Sequence, residues 1–261
     1  MFYYEEYKNI TKSNRDIVVD YCNKNHINII SPILSFSDYH KSWLELYTNL
    51  IKHIPKYNKI IIDITTMPRE AIWSIFSIIN EYDVEICYTY HKPKSYSDEW
   101  LSRDPGRPRI VFKLGGIGKL GIPTTLLILT GYDIDRVRQL ITYFEPQTTL
   151  LGLQPSDKNN SSKYNKPDFY KTFSGRPNTI LFEKDSFAED HGYSLIKKQI
   201  LNNIKNSNIL MSSLGPKLSA IALYRIHKEF PETGLVYAPS NEFNPDYSHG
   251  LKDTIEKQFI Y

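Results

Sequence analysis

Residues 60–73 read IIIDITTMPREAIW, and this stretch sets the reading of the whole chain. The run from Lys59 to Ile64 is apolar on both faces apart from Asp63, as in a strand of a parallel sheet covered by helices. Thr65 and Thr66 then break the run with hydroxyls. Pro68 suits the first turn of a helix, where its missing N–H costs nothing. Ala71, Ile72, Ile75, Phe76 and Ile79 continue at helical spacing. Residues 208–221, NILMSSLGPKLSAI, repeat the same order of strand, polar turn and helix start. Each copy places hydroxyls and one cation just past a strand, where α/β proteins bind anionic ligands and phosphates above all.

Working outward, Ile17, Val18, Tyr21 and Cys22 predict a helix within residues 1–26, with Asn14 as its cap. Residues 27–30 read as a short β-branched strand ended by Ser31 and Pro32. Trp43, Leu44, Leu46, Tyr47, Leu50 and Ile51 give an amphipathic helix between residues 36 and 53. Residues 84–90 form the next strand, which closes an N-terminal α/β half over 1–95. Prolines and glycines interrupt residues 96–123, apart from a possible strand at 110–114, and mark a linker or loop. The C-terminal Rossmann-like half, 124–261, predicts strands at 124–130, 148–153, 179–182, 208–212 and 235–237. Helices fall at 133–144, 192–206 and 217–229. Residues 154–178, rich in Asn, Ser, Lys and Pro, read as an excursion or lid. The fold class expected is α/β: two Rossmann-like three-layer halves with mainly parallel sheets.

Composition narrows the function classes. With 261 residues, 41% hydrophobic and 23% charged, the chain belongs with soluble globular proteins. A net charge of +3 does not by itself indicate nucleic acid, but permits anionic partners. Cys22 and Cys87 stand alone, so neither a zinc site nor a disulfide framework is indicated, and no metal or cofactor is expected. No apolar run approaches the roughly eighteen residues of a membrane span. The opening MFYYEE lacks the basic-then-apolar order of a signal peptide, so the expectation is a cytoplasmic chain with no membrane partner.

Four constellations carry the candidate chemistry. In the first, Thr65 and Thr66 offer hydroxyls to a phosphate or ribose, and Arg69 offers a bidentate clamp. Asp63, inside an apolar strand, requires a partner or a place at the strand end. The competing reading is a capped helix start, with Glu70 in a capping box and Arg69 paired to Asp63. In the second, Ser212, Ser213, Gly215, Lys217 and Ser219 form a similar turn, which lacks the GxxxxGK[ST] spacing of a nucleoside-triphosphate loop. Thr130, Gly131 and Asp133 form the third, a strand-to-helix turn in which Asp133 can cap. The Gly-rich run at 115–121 precedes a strand instead of following one, and so fails as a dinucleotide fingerprint. The fourth, residues 237–250, reads as a loop whose Ser240, Asn241, Glu242, Asn244, Tyr247, Ser248 and His249 could line a pocket. Asp63 or Glu242 as base with His249 as acid would make it catalytic.

The order Asp63, Thr65, Arg69 resembles the ligand motif of the CRISPR-associated Rossmann fold, in which an Asp-x-Thr-Gly-Gly-Thr-Lys turn contacts cyclic oligonucleotide phosphates. The first turn keeps Asp63, Thr65 and a cation at Arg69 but replaces both glycines. The second keeps Gly215 and Lys217, with Pro216 where the family has Thr. The resemblance covers these two turns and implies a nucleotide-sensing module in a prokaryotic defence-type system. Together these observations point to a nucleotide-like phosphorylated ligand at the strand carboxyl ends. It would be held by Thr65, Thr66, Arg69, Ser212, Ser213, Gly215 and Lys217, with Asn241, Asn244 and Tyr247 closing the pocket. Two alternatives stand beside this expectation. One is an enzyme cleaving a nucleotide or nucleoside by carboxylate acid/base chemistry. The other is an interaction subunit whose 154–178 segment binds a protein partner.

Overall fold

The computed structural model describes residues 1–97, 99–131, 133–155, 170 and 178–260, and the chain divides into two compact units. One is Met1–Ile60 with Ser74–Ile86, and the other Ile61–Trp73 with Cys87–Tyr261. The first unit holds β1 (Tyr3–Tyr4), α1 (Lys12–Lys24), β2 (Ile33–Leu34) and α2 (Tyr39–Leu50). The elements β3 (Lys59–Asp63), α3 (Arg69–Ile79) and β4 (Glu85–Tyr96) each run from one unit into the other.

In the first unit, β1 and β2 pair in parallel, with Tyr3 opposite Ile33. Residues 27–30, expected as a strand, are not one. The N-terminal ammonium donates to Ile30 O at 3.1 Å, and ladder pairing begins only at Ile33. Helix α1 starts after Thr11, so Asn14 lies inside it instead of capping it, and α1 buries no residue. The Glu6 carboxylate accepts from the Phe36 and Ser37 amides. Burial alone would raise its pKa, but these bonds outweigh that and bring it to about 2. Helix α2 is capped by Asp38, which accepts from Lys41 N at 3.0 Å, and it buries Trp43 and Leu46.

The second unit continues with β5 (Ser102–Pro105), β6 (Arg109–Ile110), β7 (Thr124–Leu129), α4 (Ile134–Phe144), β8 (Thr148–Leu153) and β9 (Thr179–Glu183). After these come α5 (Tyr193–Asn203), β10 (Asn208–Ser213), α6 (Leu218–Glu229), β11 (Gly234–Tyr237), β12 (Ser240–Phe243) and β13 (Ser248–Gln258). Its main sheet has the order β6-β11-β10-β7-β8-β9, parallel throughout except for the antiparallel edge strand β6. The central strand β7 is apolar at every position from Leu126 to Leu129, and each is fully buried. Strands covered on both faces need this composition. Val137, Leu140 and Ile141 of α4 pack on one side of this core, together with Tyr170.

That order decides where a ligand can sit. From β7 the chain steps outward through β8 and β9, then returns to the other side of β7 to lay down β10 and β11. Right-handed crossovers therefore leave on opposite faces, and the carboxyl ends of β7 and β10 flank the reversal. The turns there touch through backbone. A Cβ on Gly131 would lie 2.0 Å from Leu214 O, and one on Gly215 would lie 2.7 Å from Thr130 O.

Of the expected pair of parallel halves, the chain shows the mixed α/β class and one large, mostly parallel sheet; among the described residues β13, β4 and β3 form a further three-stranded sheet in which β13 and β4 run antiparallel. The expected linker 96–123 carries β5 and β6. The expected pocket loop 237–250 is instead β12, paired with β5, and the start of β13. These edge strands are mostly exposed and polar, so no apolar alternation announced them. Apart from Gln154, Pro155, Tyr170 and Asn178, the 154–178 excursion lies outside the described residues. Among the described residues no helix is long and apolar enough to cross a membrane. Gly131→Ala is expected to lower the unfolding free energy by about 2 kcal/mol or more. The check is the urea midpoint, which should fall at constant slope; an unchanged midpoint means the two turns are not in contact.

Candidate functional site

The first turn follows directly from β3. Ile64 N donates to Thr89 O at 2.9 Å, extending the pairing with β4, and Asp63 Oδ1 accepts from Thr65 N at 2.9 Å. Asp63 is exposed at the strand end, so the desolvation cost expected of a buried acid does not arise. Thr65 Oγ1 accepts from His91 N at 3.0 Å, while Thr66 is exposed. Glu70 does not serve a capping box. Its carboxylate holds Arg109 through two bonds, at 2.8 and 2.6 Å. The expected Arg69–Asp63 pair is likewise absent among the described residues. Arg69 reaches instead across to the second turn. Its Nε donates to Ser213 Oγ at 3.2 Å, and its Nη2 donates to Leu214 O at 3.2 Å and to Gly215 O.

The second turn answers in kind, with Lys217 Nζ donating to Thr65 O at 2.7 Å. Trp73 Nε1 adds a bond to Ala220 O at 2.9 Å. Ser213 Oγ lies 2.7 Å from Ser219 Oγ, which donates to Pro216 O at 2.6 Å. Ser212 belongs to the opposite face of β10 by strand alternation, and its buried hydroxyl has no hydrogen-bond partner among the described residues. It does not join Ser213. Arg69 thus joins Ser213 and Gly215, and Lys217 joins Thr65, so the two turns are in contact.

The two helix N-termini beside the reversal differ. At α4, Asp133 accepts from Arg136 N at 3.0 Å and from Arg136 Nε at 2.8 Å, so a carboxylate fills the positive end. Arg136 also donates to Ala238 O and Ser102 Oγ, at 3.2 and 3.1 Å. At α6 the cap position is Lys217, which provides no side-chain cap. At the turn after β7, the Tyr170 hydroxyl donates to Gly131 O at 2.9 Å.

The electrostatics follow from burial among like charges. Burial draws the Lys217 ammonium down to about 7, Arg69 adds to the depression, and Asp63 opposes it. Arg69 is drawn down to about 10 by burial and by Arg136, against the influence of Tyr237, Tyr247 and Tyr90. Sequence reasoning missed one member of this set, Lys184. It follows β9, is 1% exposed, and donates from Nζ to Ser186 Oγ. Burial brings it down to about 7, with Asp185 opposing and Arg69 reinforcing. The signal was available: the Lys-Asp-Ser at 184–186 follows a strand, but without a recognisable turn motif. None of these three cations is ion-paired with a carboxylate among the described residues; the nearby acids Glu70 and Asp133 are held by Arg109 and Arg136.

Of the fourth constellation, Tyr247 is within electrostatic reach of Arg69 and stacks against Tyr96, with ring centroids 6.5 Å apart. The others serve the hairpin. Glu242 is exposed and pairs with Arg103, and Asn241 donates to Asp104 at 3.1 Å. Asn244 donates to Trp100 O at 3.0 Å. His249 is exposed on β13 opposite Ser95. Asp63, Glu242 and His249 share no hydrogen bond among the described residues, so no acid–base pair is assembled there. The Gly-rich run 115–121 lies at the other end of the sheet. Gly116, at φ +68°, packs on Glu232 and Thr233, and Lys119 N donates to Asn208 Oδ1 at 2.7 Å. The shallow cleft beside it, lined by Ile117, Asn208 and Thr233, is too small to enclose a small-molecule ligand.

Lys184 and Lys217 titrate near 7 in the fold and near the ordinary lysine value of 10.5 when unfolded. Between those values the unfolded chain binds more protons, so stability rises with pH across that window. Urea midpoints at pH 7 and pH 9 should show the rise, and Lys184→Met should reduce it; a flat profile shared by both proteins contradicts the assignment. No protein-family model matches the chain, and no curated protein matches it by sequence.

Proposed function

We propose that the chain binds a nucleotide or another phosphorylated ligand at the carboxyl ends of β7 and β10, as a sensor or accessory module in a prokaryotic defence-type system. The observation that carries this reading is the meeting of Arg69 and Lys217, from turns far apart in sequence, beside the strand-order reversal and without a paired carboxylate. Arg69 Nη1 and two of the three Lys217 donors have no protein partner among the described residues. Thr65 adds a hydroxyl, and the start of α6, which has no capping side chain, adds the positive end of a helix dipole. The sensor role rests on the resemblance of Asp63, Thr65, Arg69, Gly215 and Lys217 to the motif of the CRISPR-associated Rossmann fold. Binding is favoured over carboxylate-driven cleavage because Asp63, Glu242 and His249 engage separate partners or solvent.

Calorimetry against mononucleotides, nucleoside triphosphates and cyclic oligonucleotides tests the proposal. At least one should bind, and Arg69→Ala/Lys217→Ala should weaken it about a hundredfold or more, since each charge-assisted bond contributes roughly 1.5–3 kcal/mol. The bound anion should re-protonate Lys217, so binding takes up protons near neutral pH and weakens as the pH rises above about 7. No heat with any nucleotide, or equal affinity in the double variant, defeats the reading.

A further inference from the structure

Resting on that reading, we infer that Ser213 and Ser219 are positioning residues that fix Arg69 so that it meets the ligand through one nitrogen, Nη1. Ser213 ends β10, and Ser219 lies in the first turn of α6. Both are buried, at 1% and 0% exposure. Ser219 Oγ and Ser219 N both donate to Pro216 O, at 2.6 and 2.9 Å. A hydroxyl has a single proton, so the 2.7 Å bond between the two serines takes its proton from Ser213. The opposite direction would leave the Ser213 proton buried without an acceptor among the described residues. Ser213 Oγ, having given its proton, can only accept, and it accepts from Arg69 Nε at 3.2 Å. The chain therefore runs one way, from Arg69 through Ser213 and Ser219 to Pro216 O.

That direction decides what the guanidinium has left to give. A planar guanidinium can grip an anion by two forks, Nε with Nη2 or Nη1 with Nη2. Nε is held by Ser213, and the two hydrogens of Nη2 meet Leu214 O and Gly215 O. Both forks are thereby closed, and the bidentate clamp expected of Arg69 is already spent on protein. Nη1 remains without a protein partner among the described residues, on a side chain that is partly exposed. Turning the plane to form a fork would break the serine chain and leave Ser213 Oγ, Leu214 O or Gly215 O without its donor. Closing the start of α6 needs only Ser219 and Pro216. What Ser213 adds is the link to Arg69. A buried chain in which every member is satisfied holds one geometry, which is what a single-nitrogen contact requires.

Two measurements test this. The first needs no ligand: exchange of the Arg69 Nε–H with water, read from nitrogen–proton correlation spectra. In wild type it should be slower by about tenfold or more than at the exposed Arg107. Ser213→Ala should speed it about tenfold, and Ser219→Ala should act in the same direction. Wild-type exchange as fast as at Arg107, or an unchanged rate in a folded Ser213→Ala variant, overturns the inference whatever the protein binds. The wild-type readout holds even if the variant does not fold. The second is a double-mutant cycle with ATP as the probe. Ser213→Ala should weaken ATP binding about tenfold in wild type. It should change nothing in Arg69→Lys, whose ammonium has no plane to orient. Equal losses in both backgrounds mean a merely structural role for Ser213 and overturn the inference. Should ATP not bind, AMP and inorganic phosphate replace it in the same cycle. Absence of binding by all three, with a slow Arg69 Nε–H, counts against the phosphorylated-ligand reading and supports the serine chain.

Discussion

Each of the two strand-to-helix turns gives its cation to the other's carbonyl groups. Arg69 serves Leu214 and Gly215, and Lys217 serves Thr65. The need arises from backbone chemistry. Carbonyls at the end of β10 have left the sheet ladder, and the next residue, Pro216, has no N–H to give. A guanidinium presents several N–H groups in a fixed fork and can meet two adjacent carbonyls together with Ser213; an ammonium, a compact charge on a flexible stem, could not hold the same geometry. This exchange, with the Trp73 bond to Ala220, ties residues 61–73 to the unit that contains the large parallel sheet. Charge is thereby concentrated beside the strand reversal as a consequence of how the turns are closed.

Carbonyl dipoles only partly offset that charge. The acids that might neutralise it are occupied: Glu70 by Arg109 and Asp133 by Arg136, each in a largely buried pair. Asp63 is exposed and bonded to Thr65 N. Burial is the main reason that Lys217 and Lys184 hold their protons weakly, and repulsion from Arg69 adds to it. An arrangement selected for stability alone would have paired or removed these charges.

Much of the large sheet was legible. Its strands are long apolar runs and its helices carry apolar stripes, so β7, α4, β8, β10 and α6 fall within a residue or two of their expected places. The turns at 63–69 and 213–217 were legible as strand-to-helix turns carrying a cation and hydroxyls. Their partners were not. The competing reading paired Arg69 with Asp63, six residues away, yet its fork fits carbonyls brought near only by tertiary packing. Ser212 and Ser213 looked equivalent, but alternation along β10 sends them to opposite faces. The strands β12 and β13 were invisible for a different reason. An exposed antiparallel strand is specified by the partner it pairs with, and its own sequence, SNEF or SHGLKDTIEKQ, carries no apolar period.

The asymmetry of the two helix N-termini narrows where an anion would go. In dinucleotide-binding sheets of this strand order, the pyrophosphate lies on the helix that follows the first strand, over a glycine-rich turn. Here that strand is β7 and the helix is α4. Gly131 is present, but it is spent on the close approach to Leu214. Asp133 already fills the helix end with a carboxylate, held there by Arg136. A phosphate at that position would meet a fixed negative charge. Across the reversal, α6 begins at Lys217 with no capping side chain, and Arg69 stands over the turn before it. The potential therefore favours an anion on the β10 side and opposes one on the β7 side. The chain keeps the crevice of a doubly wound sheet while moving its positive pole to the other bank.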